Sequence, residues 1–100
     1  MRKVEKNMLN AVIAKINWAD GSTTVSYDDN EKLSTVYLHG NRIAIINHKS
    51  SLMMILDGNF KSNTAKSRLV ALGANLKQKS GEWLLDGHPF KNGAIIKFEY

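Results

Sequence analysis

Lys61, Lys66 and Arg68 surround a run of hydroxyl and amide side chains, Ser62-Asn63-Thr64, at the start of a helical pattern. Free backbone N–H groups at a helix N-terminus, together with such side chains and cations, can hold a phosphate oxygen. Lys77 and Lys79 alternate with Gln78 on a strand pattern and would share one of its faces. Arg42 follows the turn signal Gly40-Asn41. Phe60 and Trp83 lie close in sequence to these cations and could offer the stacking surfaces that single-strand binders use. A structural reading covers the same residues: Ser62, Asn63 and Thr64 as helix caps, the lysines as solubilising surface, and the two aromatics as core.

No other chemistry assembles. His39, His48 and His88 sit in or beside different turns, and none is paired with another at the i+4 spacing that binds metal on a helix. Neither a GxSxG elbow nor a phosphate loop of the GxxxxGK[ST] or GxGxxG type occurs. His39, Asp57 and Ser50 could be drawn into a triad, but any chain of this length offers such a combination. The carboxylates fall largely in turns, as Asp28-Asp29 and Asp57-Gly58 do, where they shape the backbone. The sequence therefore predicts no catalytic residue, no metal ligand and no cofactor, and points to a non-enzymatic binding protein, with a small enzyme as the last-ranked alternative.

Charge directs attention to the same region. The chain carries 14 Lys/Arg against 9 Asp/Glu, a net +5. The excess lies in residues 40–80, where Arg42, Lys49, Lys61, Lys66, Arg68, Lys77 and Lys79 face Asp57 alone. A basic segment of this kind suits nucleic acid, a nucleoprotein complex or an acidic protein. No run approaches the roughly 20 apolar residues that span a bilayer, so no membrane partner is expected. The N-terminus Met1-Arg2-Lys3-Val4-Glu5-Lys6 lacks the apolar run of a signal peptide. Cysteine is absent, which removes disulfides and thiolate metal sites. These features predict a soluble, cytoplasmic protein.

The elements that must position these residues can be read from periodicity. One hundred residues with 43% hydrophobic content make one domain, 1–100. Residues 3–17 form an amphipathic pattern, with Val4, Met8, Leu9, Val12, Ile13 and Ile16 along one stripe. Trp18 should fold back onto the core. Short strands follow: Thr23 to Tyr27, Lys32 to His39, Arg42 to Asn47, and Leu52 to Leu56, the last apolar throughout and expected to be buried on both faces. Their connections are too short for crossovers, so they predict a four-stranded antiparallel meander. A second helix covers 62–73, with Ala65, Leu69 and Leu72 inward and Lys66, Ser67 and Arg68 in water, ending at Gly73. Asn75 to Lys79 and Glu82 to Leu85 make a hairpin about Ser80-Gly81, and Ala94 to Tyr100 alternates as a final strand. The order α-β-β-β-β-α-β-β-β predicts an α+β fold, a mainly antiparallel sheet with two helices packed on it.

Two stretches also resemble known motifs. Tyr37-Leu38-His39-Gly40-Asn41-Arg42-Ile43-Ala44 is similar to a YLHGNxIA pattern, and residues 63–73 are similar to NTTKSRLNALG, with Ala65 and Val70 standing where that pattern has Thr and Asn. Both patterns belong to a family of short phage-encoded proteins of unknown function, and the resemblance runs in order from the first helix to Gly81-Glu82-Trp83. It implies action inside an infected bacterium and supplies no catalytic residues. Two partner classes follow. One is nucleic acid or a nucleoprotein, gripped by Arg42, Lys61, Ser62, Asn63, Thr64, Lys66, Arg68, Lys77 and Lys79. The other is a host protein inhibited by docking, as in anti-CRISPR action or host takeover.

Overall fold

The computed structural model describes residues 1–100. Helix α1 spans Lys3–Ala14, and its first turn is fixed by the Glu5 carboxylate, which accepts the Arg2 backbone N–H at 3.3 Å. It stops short of the expected residue 17 because Lys15 turns left-handed (φ 58°) and returns its N–H to the Val12 carbonyl at 3.2 Å. Met8, Ala11 and Val12 are buried, whereas Ile13 and Ile16 are exposed. The buried stripe is thus rotated from the expected one, toward Glu5.

The main sheet has strands in the order β1-β2-β3-β4-β5-β9, all neighbours antiparallel: β1 (Trp18–Asp20), β2 (Thr23–Asp28), β3 (Leu33–Leu38), β4 (Asn41–Asn47), β5 (Leu52–Ile55) and β9 (Ala94–Lys97). A smaller antiparallel sheet joins β6 (Leu76–Lys79), β7 (Glu82–Leu85) and β8 (His88–Pro89). The α+β architecture and the β2–β5 meander are as the sequence predicts. The additional strands β1 and β8 are three and two residues long, too short to show periodicity.

Alternation places Val25, Val36, Ala44, Ile46, Met53 and Ile55 on the inner face, where both helices contribute to a single core. The opposite face has no layer over it. Consequently β5 is buried on one face only: Met53 and Ile55 are inside, while Leu52 and Met54 are half-exposed. A bulge at Val36/Tyr37 sets Val36 against Ala44 but Tyr37 against Arg42, leaving Ile43 as the extra residue. Both Ile43 and Ala44 are therefore buried. A regular ladder would have turned Ile43 to the uncovered face and Arg42 under the sheet.

Helix α2 spans Asn63–Ala71. Of the three candidate caps Ser62 serves: its Oγ accepts the Ala65 N–H at 3.0 Å. Ala65, Leu69 and Leu72 are completely buried, as their spacing predicts. Arg68 corrects the expectation that it stays in water. It lies three residues after Ala65 and one before Leu69, on the inward face, and is 7% exposed. Its Nη1 donates to Glu5 Oε2 at 2.8 Å and its Nε to Thr23 Oγ1 at 3.2 Å, while the Ser67 hydroxyl donates to the same carboxylate oxygen. This pair ties α1, α2 and β2 together. Trp83 is also core rather than platform: it packs on Phe90 at 5.5 Å, and its buried indole N–H has no partner.

Leu69→Ala should destabilise the protein by about 2–5 kcal/mol, as deletion of fully buried leucine does. Ser62→Ala should cost about 1 kcal/mol through the lost cap, whereas Thr64→Ala, which removes no cap, should cost less than Ser62→Ala. Urea melts of the three variants test the docking of α2 and the identity of its cap.

Candidate functional site

The β3–β4 hairpin tip, the β5–α2 loop and the turn before β9 converge at one end of the main sheet. His39 (φ 53°) and Gly40 (φ 79°) take the paired positive angles of a tight hairpin turn, so the turn is centred one residue earlier than Gly40-Asn41. Opposite them, Gly58 (φ 69°) lies against Ile43; a Cβ added there would stand 2.9 Å from Ile43 Cγ2. A glycine at 58 is what lets the loop close down beside the hairpin.

Two adjoining cavities open here, sharing Asn41 and Gly58. The larger, about 510 Å³, is lined chiefly by Tyr37, Asn41, Arg42, Asn59 and Asn92. The smaller, about 240 Å³, is bounded by His39, Asp57, Phe60, Ser62 and Thr64. Internal hydrogen bonds occupy the acceptors more than the donors. Asn59 Nδ2 donates to Asn41 Oδ1 at 3.2 Å, the Asp57 N–H to Asn92 Oδ1 at 2.8 Å, and the Asn59 N–H to Asp57 Oδ1 at 2.9 Å. That leaves the amide NH₂ groups of Asn41 and Asn92 and the Tyr37 hydroxyl free to donate. Arg42 is exposed and forms no ion pair. A cleft with surplus donors and an unpaired guanidinium suits a ligand rich in acceptor oxygens.

The structure brings together only part of the predicted set. Arg42, Ser62 and Thr64 line the cavities; exposed Lys61 stands between Phe60 and Ser62 at the rim, and Asn63 is exposed on the first turn of α2. Lys66 is half-buried on α2 and lines neither cavity; Lys77 and Lys79 are exposed on β6, in the other sheet. Arg68 is withdrawn altogether, because its guanidinium is neutralised by Glu5 inside the fold. Phe60 is 75% exposed, so it remains available for stacking. The residues that sequence reasoning missed are Tyr37, Asn41, Asn59 and Asn92. Each asparagine sits in or beside a turn, where it reads as a backbone-shaping residue. The available signal was their shared adjacency to glycine or to another turn.

Other reactive groups do not form a site. The Ser34 hydroxyl lies 2.8 Å from His48 Nε2, but Ser34 is fully buried, and the ring packs edge-on against Tyr27 and Phe98. No group of three His, Cys, Asp or Glu side chains could hold a metal ion. No helix is long and apolar enough to cross a membrane.

The fold is a small α+β domain with an open, donor-lined cleft at one end of its main sheet. The chain belongs to the Kyanoviridae Gp96 protein family, whose family model matches residues 1–97. No curated protein and no solved structure matches it.

Buried Glu5 and half-buried His48 shape the acid response. Burial pushes His48 below its ordinary 6.5, and nearby Lys15 adds to the effect. Burial would raise the Glu5 carboxyl, but hydrogen bonds from Ser67, the Arg2 N–H and Arg68, with the Arg68 charge, outweigh it and hold Glu5 below its ordinary 4.5. Both groups bind protons more readily unfolded than folded, so each contributes stability above its ordinary value that is lost as pH falls. Thermal melts should show a first decline as pH drops through 6.5, from His48, and a further one below 4.5, from Glu5. Glu5→Gln should flatten the second decline and leave the first.

Proposed function

We propose that the protein is a non-enzymatic binder of single-stranded nucleic acid or of a nucleoprotein carrying it, acting in the cytoplasm of an infected bacterium. The observation that carries this reading is the unpaired Arg42 among free amide donors, with exposed Phe60-Lys61 at the rim of the adjoining cavity. Phosphate oxygens are acceptors only, which matches the donor surplus contributed by Asn41, Asn92, Tyr37 and Arg42. Phe60 supplies a π-face on which a base can stack, tolerant of sequence. Lys61 adds charge beside it, and Ser62 can still donate its hydroxyl while capping α2. Duplex is a poorer fit, because stacking on Phe60 needs a base that is already unpaired. Lys66, Lys77 and Lys79 contribute long-range attraction rather than contacts in the cleft.

A second reading, a protein-targeted inhibitor of an acidic host factor, draws on the same basic segment. The observation in its favour is the uncovered apolar face of the main sheet, which nucleic acid would not use. The cleft favours the first reading.

Fluorescence anisotropy with short oligonucleotides across a salt series separates them. Each phosphate contact lowers log K by about 0.7 per log unit of salt for single strands, so contacts from Arg42 and Lys61 predict a slope of roughly −1.5. Arg42→Ala should reduce that slope by about 0.7. Phe60→Ala should weaken single-strand binding by about 1–3 kcal/mol while changing duplex binding little. Lys49→Ala, in the turn between β4 and β5 at the opposite end of the sheet, serves as control. No binding at low salt would overturn the nucleic-acid reading and leave the protein inhibitor.

A further inference from the structure

The four sheet edges differ in how they are guarded: the shortest, β8, is two residues long and ends in Pro89, which has no N–H to offer. Edge strand β1 is three residues long and ends in Asp20. Edge strand β6 carries Lys77 and Lys79. Both devices discourage pairing with another chain. Edge strand β9, Ala-Ile-Ile-Lys, is rich in residues that favour strands, and its Ile95 is 59% exposed. Its backbone is open as well. The Phe98 N–H donates inward to the Ser51 carbonyl at 3.2 Å, and Ile96 stands opposite Met53. By the alternation of antiparallel ladders, the N–H and C=O groups of Ile95 and Lys97 therefore point away from the sheet. On the uncovered face, Ile95 completes a shallow apolar cavity of about 200 Å³ with Leu33, Ile45, Leu52 and Met54.

We propose that β9 pairs antiparallel with β9 of a second copy of this chain, joining two main sheets across a two-fold axis at Ile95. The strand is self-complementary in that register. Ile95 meets Ile95 of the second copy on the apolar face, and Ala94 meets Ile96, a small side chain against a large one. Lys97 falls opposite Gly93, so the two Lys97 ammonium groups lie at opposite ends of the seam. Centring the axis on Lys97 instead would set those like charges face to face. Antiparallel pairing also brings the basic lead-in of one strand, Lys91, toward the acidic exit of the other, Glu99; both side chains are exposed. The pairing satisfies the open N–H and C=O of Ile95 and covers its side chain, while the Gly93 N–H keeps its inward bond to the Ile55 carbonyl at 2.8 Å. It does not depend on what the cleft binds.

Sedimentation equilibrium from the micromolar to the millimolar range should show the mass rising from 11.2 kDa toward twice that value. Amide exchange at Ile95 and Lys97 should slow as the protein is concentrated. Ile95→Lys should hold the mass at one chain without altering the circular dichroism spectrum. Should that variant not fold, the wild-type exchange data decide alone. A constant monomer mass would overturn the proposal. So would a dimer in which Ile95 and Lys97 exchange as fast as in dilute solution, since its contact would lie elsewhere.

Discussion

The Glu5–Arg68 pair is the contact on which the arrangement of layers depends. Apolar packing alone lets two helices slide and rotate on a sheet, because dispersion and the hydrophobic effect are not directional. A buried carboxylate and guanidinium do not tolerate such freedom. Losing one partner leaves the other charged and dry, at a cost of about 3–5 kcal/mol. Glu5 gathers the Ser67 hydroxyl, the Arg2 N–H and Arg68, while Arg68 also reaches Thr23. Three elements, α1, α2 and β2, thereby have one mutual placement. That placement fixes where α2 begins, and with it the wall of the smaller cavity at Ser62 and Thr64.

The pair also separates a cation held inside the fold from those that stay at the surface. Seven Lys and Arg side chains lie between residues 40 and 80, but they are not one population. Arg68 is consumed inside. Lys77 and Lys79 guard an edge. Arg42 and Lys61 remain beside the cleft. A count of charge along the chain cannot distinguish these fates, since they depend on which side chains face one another across the fold.

What was legible in the sequence follows the same division. Local order was written plainly: the β2–β5 meander, a cap within Ser62-Asn63-Thr64 and the inward triplet Ala65, Leu69 and Leu72 come from periodicity and turn chemistry within a few residues, whereas the choice of Ser62 among the three caps came from the structure. Arg68 was misread because polarity argued for water, and its partner lies 63 positions away. Leu52–Leu56 was misread because an apolar run looks the same whether one face or both are covered. The bulge at Ile43 escaped because an extra residue leaves no mark in a strand already rich in Ile and Ala. The cleft escaped for a related reason: its asparagines belong to three separate turns, each of which explains its own asparagine locally.

The distance along the chain between Glu5 and Arg68 bears on the order in which the protein can be made. Synthesis delivers α1 first, yet α1 cannot be the first element buried. Until Arg68 has left the ribosome, docking α1 on the nascent sheet would place an unpaired carboxylate in the interior, so the helix must wait in water with Met8 and Val12 exposed. The meander, whose contacts are between neighbours in sequence, has no such constraint and can assemble meanwhile. The N-terminal helix is thus early in translation and late in folding, and a chain released before α2 is complete would present the same apolar stripe to the chaperones of its host.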